Sequence, residues 1–120
     1  MSLDISLFEK EIIVCECGKN HVMKREKIFQ TNTTGNLHKM AKELGVYEYL
    51  WTPKKLKITK ANQLIEPLTK ALANLKANEE HYKKFDAPNG FGVYSDFVFF
   101  IEDLLNACTK FPDTLVEAVN

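Results

Sequence analysis

Hydrophobic positions recur along the chain with two different spacings, and each spacing predicts a different element. Residues 11–16 are rich in β-branched side chains, which is typical of a short strand. Gly18 and Asn20 tolerate the backbone of a tight turn, and apolar residues are interleaved with charges over 21–30. These segments predict a β-hairpin, and the small polar residues of 31–36 predict a loop after it.

Three helices are predicted in the middle of the chain from apolar residues spaced three and four positions apart. The first begins near Thr34, whose hydroxyl can cap it, and ends at Gly45. A short helical turn is expected over 46–51. The third helix covers 60–78, where Pro67 either kinks it or starts its main body. The apolar stripe of the first helix consists of Leu37, Met40, Ala41 and Leu44.

The segment after the Gly-, Asn- and Pro-containing stretch 86–92 predicts the central element of the core. Its apolar residues follow helical spacing over 93–110, although 97–101 taken alone resembles a buried strand. A short helix over 79–85 is expected before it, and a strand over 114–119 after it. The apolar positions of the long helix are Val93, Phe97, Phe100, Ile101, Leu104, Leu105 and Cys108.

Together these elements predict an α+β fold, in which a small antiparallel sheet packs against three or four helices. The sheet combines the N-terminal hairpin with the C-terminal strand. At 120 residues the chain has the length of a single domain with one core, spanning 1–120. Residues 1–3 follow no pattern and are interpreted as the remnant of an expression vector.

Composition and charge narrow the classes of partner. The 16 basic and 16 acidic residues cancel, so the basic surplus that counterion release requires is missing, and no nucleic-acid partner is expected. No apolar run approaches the ~20 residues of a membrane span, so no membrane partner is expected either. The start has no secretory signal, and three cysteines are few and odd in number. We therefore expect a cytoplasmic protein with free thiols.

The charges are segregated along the sequence. Residues 31–85 carry ten basic and five acidic groups, whereas 86–120 carry one basic and six acidic groups. Two interpretations remain open: the two segments neutralise each other in the fold, or they form a dipolar surface with an anion-attracting patch. The patch would consist of Lys54, Lys55, Lys57 and Lys60.

Cys15, Cys17 and His21 form a cluster of metal-ligand type in the hairpin. Zinc prefers thiolate and imidazole ligands, so the hairpin is a candidate zinc site, but spacing assigns no fourth ligand. The alternative is that there is no cofactor and that the two cysteines share one strand face as small apolar residues. Cys17 and His21 lack the third, orienting group of a catalytic cysteine, and no other catalytic motif is present. The sequence therefore leans against an enzyme.

Two polar loops form the other candidate site. The loop 31–36 gathers amides and hydroxyls at a helix start, where free N–H groups favour an anion or a polar ligand. The loop 88–94 combines glycines with aromatic residues. Either both loops serve only capping and turn geometry, or they meet and, with Trp51 and Tyr47, line a shallow pocket. The candidate ligand-binding residues are Asn32, Thr34, Asn36, Trp51, Asn89 and Tyr94.

Two stretches resemble a family of small uncharacterised proteins from bacterial and bacteriophage genomes. The first consists of Asn32-Thr33-Thr34-Gly35-Asn36-Leu37, Met40-Ala41, Gly45-Val46-Tyr47 and Leu50-Trp51-Thr52-Pro53; the second runs from Asn89-Gly90-Phe91-Gly92-Val93-Tyr94 to Phe111-Pro112-Asp113. The family commonly has Trp where Phe91 stands, and it lacks the cysteine hairpin. It has no assigned activity, so the resemblance implies no catalytic residues.

The leading hypothesis is a non-enzymatic binding or adaptor module, related to phages or mobile elements, with an unknown protein partner at the surface near the two loops. The alternative is a small-ligand or zinc-binding protein that uses Cys15, Cys17 and His21. An enzyme subunit completed by oligomerisation is a third hypothesis. A binding module requires an exposed binding surface. A zinc-binding protein requires a metal that chelation removes, and an enzyme requires perturbed titratable groups in a cleft.

Overall fold

The computed structural model describes the backbone of residues 2–14, 20–90 and 92–120, and the side chains of 2–9, 26–90 and 92–120. Within these residues lie three strands and five α-helices, which confirms the α+β class. The elements are β1 (Ser2–Val14), β2 (Asn20–Thr34), α1 (His38–Leu44), α2 (Tyr47–Trp51), α3 (Asn62–Ala77), α4 (Glu79–Lys83), α5 (Tyr94–Lys110) and β3 (Leu115–Val119), with 3-10 helices at Gly35–Leu37 and Pro53–Leu56. Of the helices in this part of the chain, none has the length and apolar character that crossing a membrane requires.

β1 is the central strand of an antiparallel sheet with the order β2-β1-β3. Alternate residues of a strand point to opposite faces, and Leu3, Ile5 and Leu7 are buried in the hydrophobic core. Ile5 pairs with Thr31 of β2 on one side and with Ala118 of β3 on the other. The predicted pairing of the C-terminal strand with the hairpin is therefore confirmed.

Both hairpin strands are longer than predicted. β1 begins at Ser2, and Leu3, which was interpreted above as part of a vector remnant, is fully buried in it. β2 continues to Thr34, so the prediction of a loop was wrong for residues 31–34. The physical reason is that β-branched threonines pair with the first residues of β1, from Thr31 opposite Ile5 to Thr34 opposite Ser2.

The helices follow the predicted apolar stripes. Thr34 caps the 3-10 turn that precedes α1, since its Oγ1 accepts a hydrogen bond from the Asn36 N–H at 3.3 Å. α1 is followed by Gly45 in the left-handed region, with φ of +86°, as a helix terminator requires. α3 runs through Pro67 as one helix rather than beginning there. The described residues contain five α-helices, because the short segments α2 and α4, both expected to be helical, form separate helices beside the three longer ones.

α5 lies at the centre of the core, as predicted. Phe97, Ile101 and Leu104 are fully buried, and the helix packs against α3 and β2. The first turn of a helix has N–H groups without helical partners, and here Asp86 Oδ1 accepts a hydrogen bond from the Tyr94 N–H at 2.7 Å. This negative charge also suits the positive end of the helix dipole.

The hairpin extends past the three-stranded part of the sheet. β3 pairs with β1 from Asp4 to Phe8, whereas β1 and β2 stay paired as far as Val14 and Asn20. The molecule is elongated, with principal dimensions of 60 × 26 × 22 Å. We call residues 9–14 and 20–26 the hairpin arm. In the part of the chain that the structure describes, no third strand pairs with this arm.

Neighbouring leucines of α5 test the position of this helix. Leu104 is fully buried and Leu105 only partly, so Leu104→Ala should cost about 2–5 kcal/mol of unfolding free energy and Leu105→Ala about 1 kcal/mol. Both changes are Leu to Ala in the same helix, which keeps the change in helix propensity equal. Urea denaturation followed by circular dichroism measures both. Equal losses, or a larger loss at Leu105, would contradict the described packing.

Candidate functional site

The two segments predicted from the sequence as polar loops, 31–36 and 88–94, meet in the structure, where the first is the end of β2 and the 3-10 turn after it. A surface depression of about 370 Å³ lies between the end of β2, the turn before α5 and the first half of α5. Its described lining residues are Thr31, Asn32, Thr33, Thr34, Gly90, Gly92, Asp96, Phe99 and Phe100. The meeting of the loops thus brings strand, turn and helix residues to one place on the surface.

Gly92 forms the close contact between the two loops. Its φ of +98° is a backbone conformation that side-chain-bearing residues rarely adopt. A Cβ atom at this position would lie 3.0 Å from Asn36 Cβ and 3.0 Å from Thr34 Cγ2, which is closer than such atoms normally approach. Gly92 is therefore required both by its backbone and by the neighbouring side chains, and this contact fixes the turn against the end of β2.

The predicted site residues are not all at this depression. Asn32 and Thr34 line it and Asn36 contacts Gly92, while Asn89 is exposed in the turn before Gly90. The depression is formed by β2, the turn before α5 and α5 itself. None of its described lining residues belongs to α2.

Trp51 and Tyr94, the aromatic members of the predicted set, are structural residues elsewhere. Trp51 is buried and stacks on Tyr47 at 5.2 Å between ring centroids, and its carbonyl accepts a hydrogen bond from Asn120 Nδ2 at 2.9 Å. The Tyr94 hydroxyl donates to the Leu75 carbonyl at 2.8 Å and ties α5 to α3. Burial raises the pKa of the Tyr94 phenol, so this donor stays protonated at neutral pH.

Phe99 is the residue of the depression that sequence reasoning missed. Its side chain is 70% exposed, more than the other large apolar side chains described as exposed, Leu56 and Val119. Its phenyl ring is apolar surface that a bound partner would remove from water. The available signal is that Phe99 falls outside the helical stripe of Phe97, Phe100 and Leu104.

β2 has an open edge beside the depression. In the described ranges, no strand pairs with β2 on its side away from β1. The outer edge of β3, by contrast, is covered at its start, because the Val116 N–H donates to the Thr59 carbonyl at 2.9 Å and the Ala61 N–H to the Thr114 carbonyl, just before the strand, at 2.9 Å. We call residues 29–34 of β2 the edge segment.

The edge segment lacks the usual protection against pairing with another strand. Natural proteins protect exposed edges with charges, prolines or bulges. The edge segment contains no charged residue and no proline. The two register irregularities of β2 fall at residues 28 and 23, both before the segment begins. Residues 29–34 therefore present an edge that can pair with an incoming strand.

Three titratable side chains of the described residues, Asp96 of the depression, Cys108 and His38, make contacts or are buried within the fold. Asp96 is the ionisable group among the described lining residues of the depression, and its Oδ2 accepts a hydrogen bond from the Val93 N–H at 3.5 Å. Cys108 is fully buried, and burial raises the pKa of its thiol to about 12, which leaves it protonated and unreactive at neutral pH. The ring of His38 contacts the Gly35 carbonyl at 2.9 Å. These groups serve structural contacts.

The proposed zinc ligands fall outside what the structure describes. Cys15 and Cys17 lie outside the described residues, and of His21 only the backbone, within β2, is described. Among the described side chains, no three metal-binding groups come together. The zinc hypothesis for the hairpin stays a prediction.

The segregated charges meet in at least one ion pair. Lys76 of the basic segment contacts Glu102 of the acidic segment, with 2.8 Å between Nζ and Oε1. Lys54, Lys55, Lys57 and Lys60 are exposed around the 3-10 helix Pro53–Leu56, away from the described lining of the depression. This contact neutralises one basic and one acidic group of the two segments. As an exposed ion pair it contributes little to stability. The four lysines remain a separate exposed group.

Comparisons with protein-family models, with curated proteins and with solved structures find no match for this chain. The site is therefore characterised by its geometry alone. It is an open, uncharged strand edge of an α+β protein, and Phe99, an exposed aromatic residue of the central helix, borders it. This geometry is typical of surfaces that add a strand from another polypeptide.

Two glycines of the depression provide a matched test of its geometry. Gly92→Ala should cost roughly 1 kcal/mol for the left-handed backbone and roughly 1–3 kcal/mol more for the contacts with Thr34 and Asn36. Gly90 has φ of +79° but nothing within 4 Å of a Cβ, so Gly90→Ala should show only the backbone cost. Urea denaturation compares the two variants. Indistinguishable losses would mean that the loops do not meet at Gly92.

Proposed function

We propose that this chain is a non-enzymatic binding module that takes up an extended segment of a protein along the edge segment of β2. The observation that carries the proposal is the open, uncharged edge of residues 29–34 beside Phe99, which is 70% exposed. Unpaired backbone groups at a strand edge are a template for another strand. The exposed phenyl ring adds the apolar contact that such an edge alone lacks.

Strand addition divides the recognition between backbone and side chains. The backbone of the incoming segment would pair with β2, which supplies affinity without regard to sequence. Every second side chain of that segment would face the side of the sheet on which α5 lies, where Phe99 and Phe100 line the depression. An apolar residue at that position is therefore the expected element of specificity.

The depression is bordered by elements that contacts hold in place. Its wall is α5, whose buried residues anchor it in the core, and the Tyr94 N–H is held by Asp86 at 2.7 Å. At the end of β2, the depression is bordered by Gly92, which lies close to Thr34. Elements that are ordered before binding lose less conformational entropy when the partner arrives, which favours affinity.

The test is a selection of random twelve-residue linear peptides, displayed on phage, against the immobilised protein. We expect peptides whose binding weakens by about tenfold or more with Phe99→Ser, which corresponds to about 1.4 kcal/mol. Thr31→Lys, which places a charge on the edge segment, should weaken it as well. Leu56→Ser is the matched control, because it removes another exposed apolar side chain outside the depression and should leave binding unchanged. Fluorescence anisotropy of labelled synthetic peptides measures all four proteins.

Two results would contradict the proposal. One is a selection that retains no peptide although the immobilised protein is monomeric, so that the edge segment is free. The other is a set of peptides that bind Phe99→Ser and Thr31→Lys as tightly as the unchanged protein, since they would then use another surface.

A further inference from the structure

We infer that the segment taken up by β2 is the edge segment of a second copy of this chain, in antiparallel orientation about a two-fold axis. This inference rests on the proposed function, because it names the partner of the same edge. Pairing of the two edges would join the two three-stranded sheets into one continuous sheet with the order β3-β1-β2-β2-β1-β3. A two-fold axis closes such an assembly at two copies.

The edge segment is complementary to itself. With Thr31 at the two-fold axis, Thr31 of one protomer lies opposite Thr31 of its partner, and Gln30 lies opposite Asn32. Threonine pairs and amide pairs across antiparallel strands are favourable, and like charges in that place would be unfavourable. Residues 29–34 contain no charge, so no like charges meet within the paired edge segments.

The same pairing gives Phe99 a partner. Residues that pair across a sheet share one face, so Phe29, Thr31 and Thr33 lie on the face of Leu7, Ile5 and Leu3. The partner's residues 29, 31 and 33 would then face the side on which α5 lies, next to Phe99. Burial of this exposed phenyl ring at the contact would stabilise the dimer.

The hairpin arm supports a second copy rather than a short peptide. In the antiparallel register, residues 20–26 of one protomer continue past the edge segment of its partner and run towards the partner's 3-10 helix Gly35–Leu37 and α1. At about 3.3 Å for each residue, this part of the arm reaches about 20 Å. A two-stranded ribbon is marginally stable alone, and among the described residues no third strand pairs with the arm, so the body of the partner would provide a surface for it. A short peptide at the edge segment would not reach the arm.

The test is the molar mass in solution, measured by sedimentation equilibrium over a range of concentrations. We expect a dimer, with twice the chain mass of 13.8 kDa. Phe99→Ser should raise the dimer dissociation constant by about tenfold or more. Leu56→Ser, the control, should leave it unchanged. Circular dichroism of each variant verifies that the fold is retained.

Position 31 gives a sharper test, because the two-fold axis places it opposite itself. Thr31→Lys and Thr31→Glu should each be monomeric, since like charges meet at the axis, and an equimolar mixture of the two should form a heterodimer. Rescue by mixing cannot arise from a variant that fails to fold.

A monomeric unchanged protein at several hundred micromolar would overturn the inference, as would a dimer that is insensitive to both charges at position 31. The first result leaves the proposed function intact if Phe99-dependent peptides are still selected. Failure of the peptide selection together with a monomeric protein would overturn both.

Discussion

The burial of one face of α5 is the interaction on which the rest of the structure depends. Phe97, Ile101 and Leu104 are fully buried where the helix meets α3 and the sheet, and each such side chain contributes about 1.5–3 kcal/mol through removal from water. The Tyr94 hydroxyl adds a buried hydrogen bond to the Leu75 carbonyl of α3. With one face fixed in this way, the opposite side of the helix presents Phe99 beside the edge of β2. Core and candidate site are therefore two sides of the same helix.

The helices could be predicted from the sequence because their signals are local. Apolar residues such as Leu37 and Met40 repeat within one turn, and Gly45 supplies the positive φ that ends α1. The first half of β1 and the last part of β2 could not be predicted in this way. Residues 31–34 have the composition of a loop, and they form a strand because they pair with residues 2–5, which are far away in the sequence. The short alternation of Leu3, Ile5 and Leu7 is a weak signal by comparison.

The candidate site was only partly predictable, for a related reason. The polar loops around Asn32 and Asn89 were identified from composition, and their meeting depends on the glycine at position 92. Trp51 was assigned to the same pocket because it is large and aromatic, but the orientation of α2 turns it onto Tyr47. Phe99 falls outside the apolar stripe of α5, but it was missed because residues 97–101 are continuously apolar, and the spacing alone then does not decide which side remains in solvent. Only the packing of α5 against its neighbours decides that.

Native-state amide hydrogen exchange tests the central place of α5 most directly. If burial of this helix holds the fold together, the amides of 97–108 and those of β1 beside Leu3, Ile5 and Leu7 should exchange only through global unfolding. Their exchange free energies should then equal the unfolding free energy from urea denaturation, and the Leu104→Ala change should lower both by the same amount. Amides of α5 that exchange well before those of α3 would contradict this view, because the helix would then open while the rest of the core stays folded.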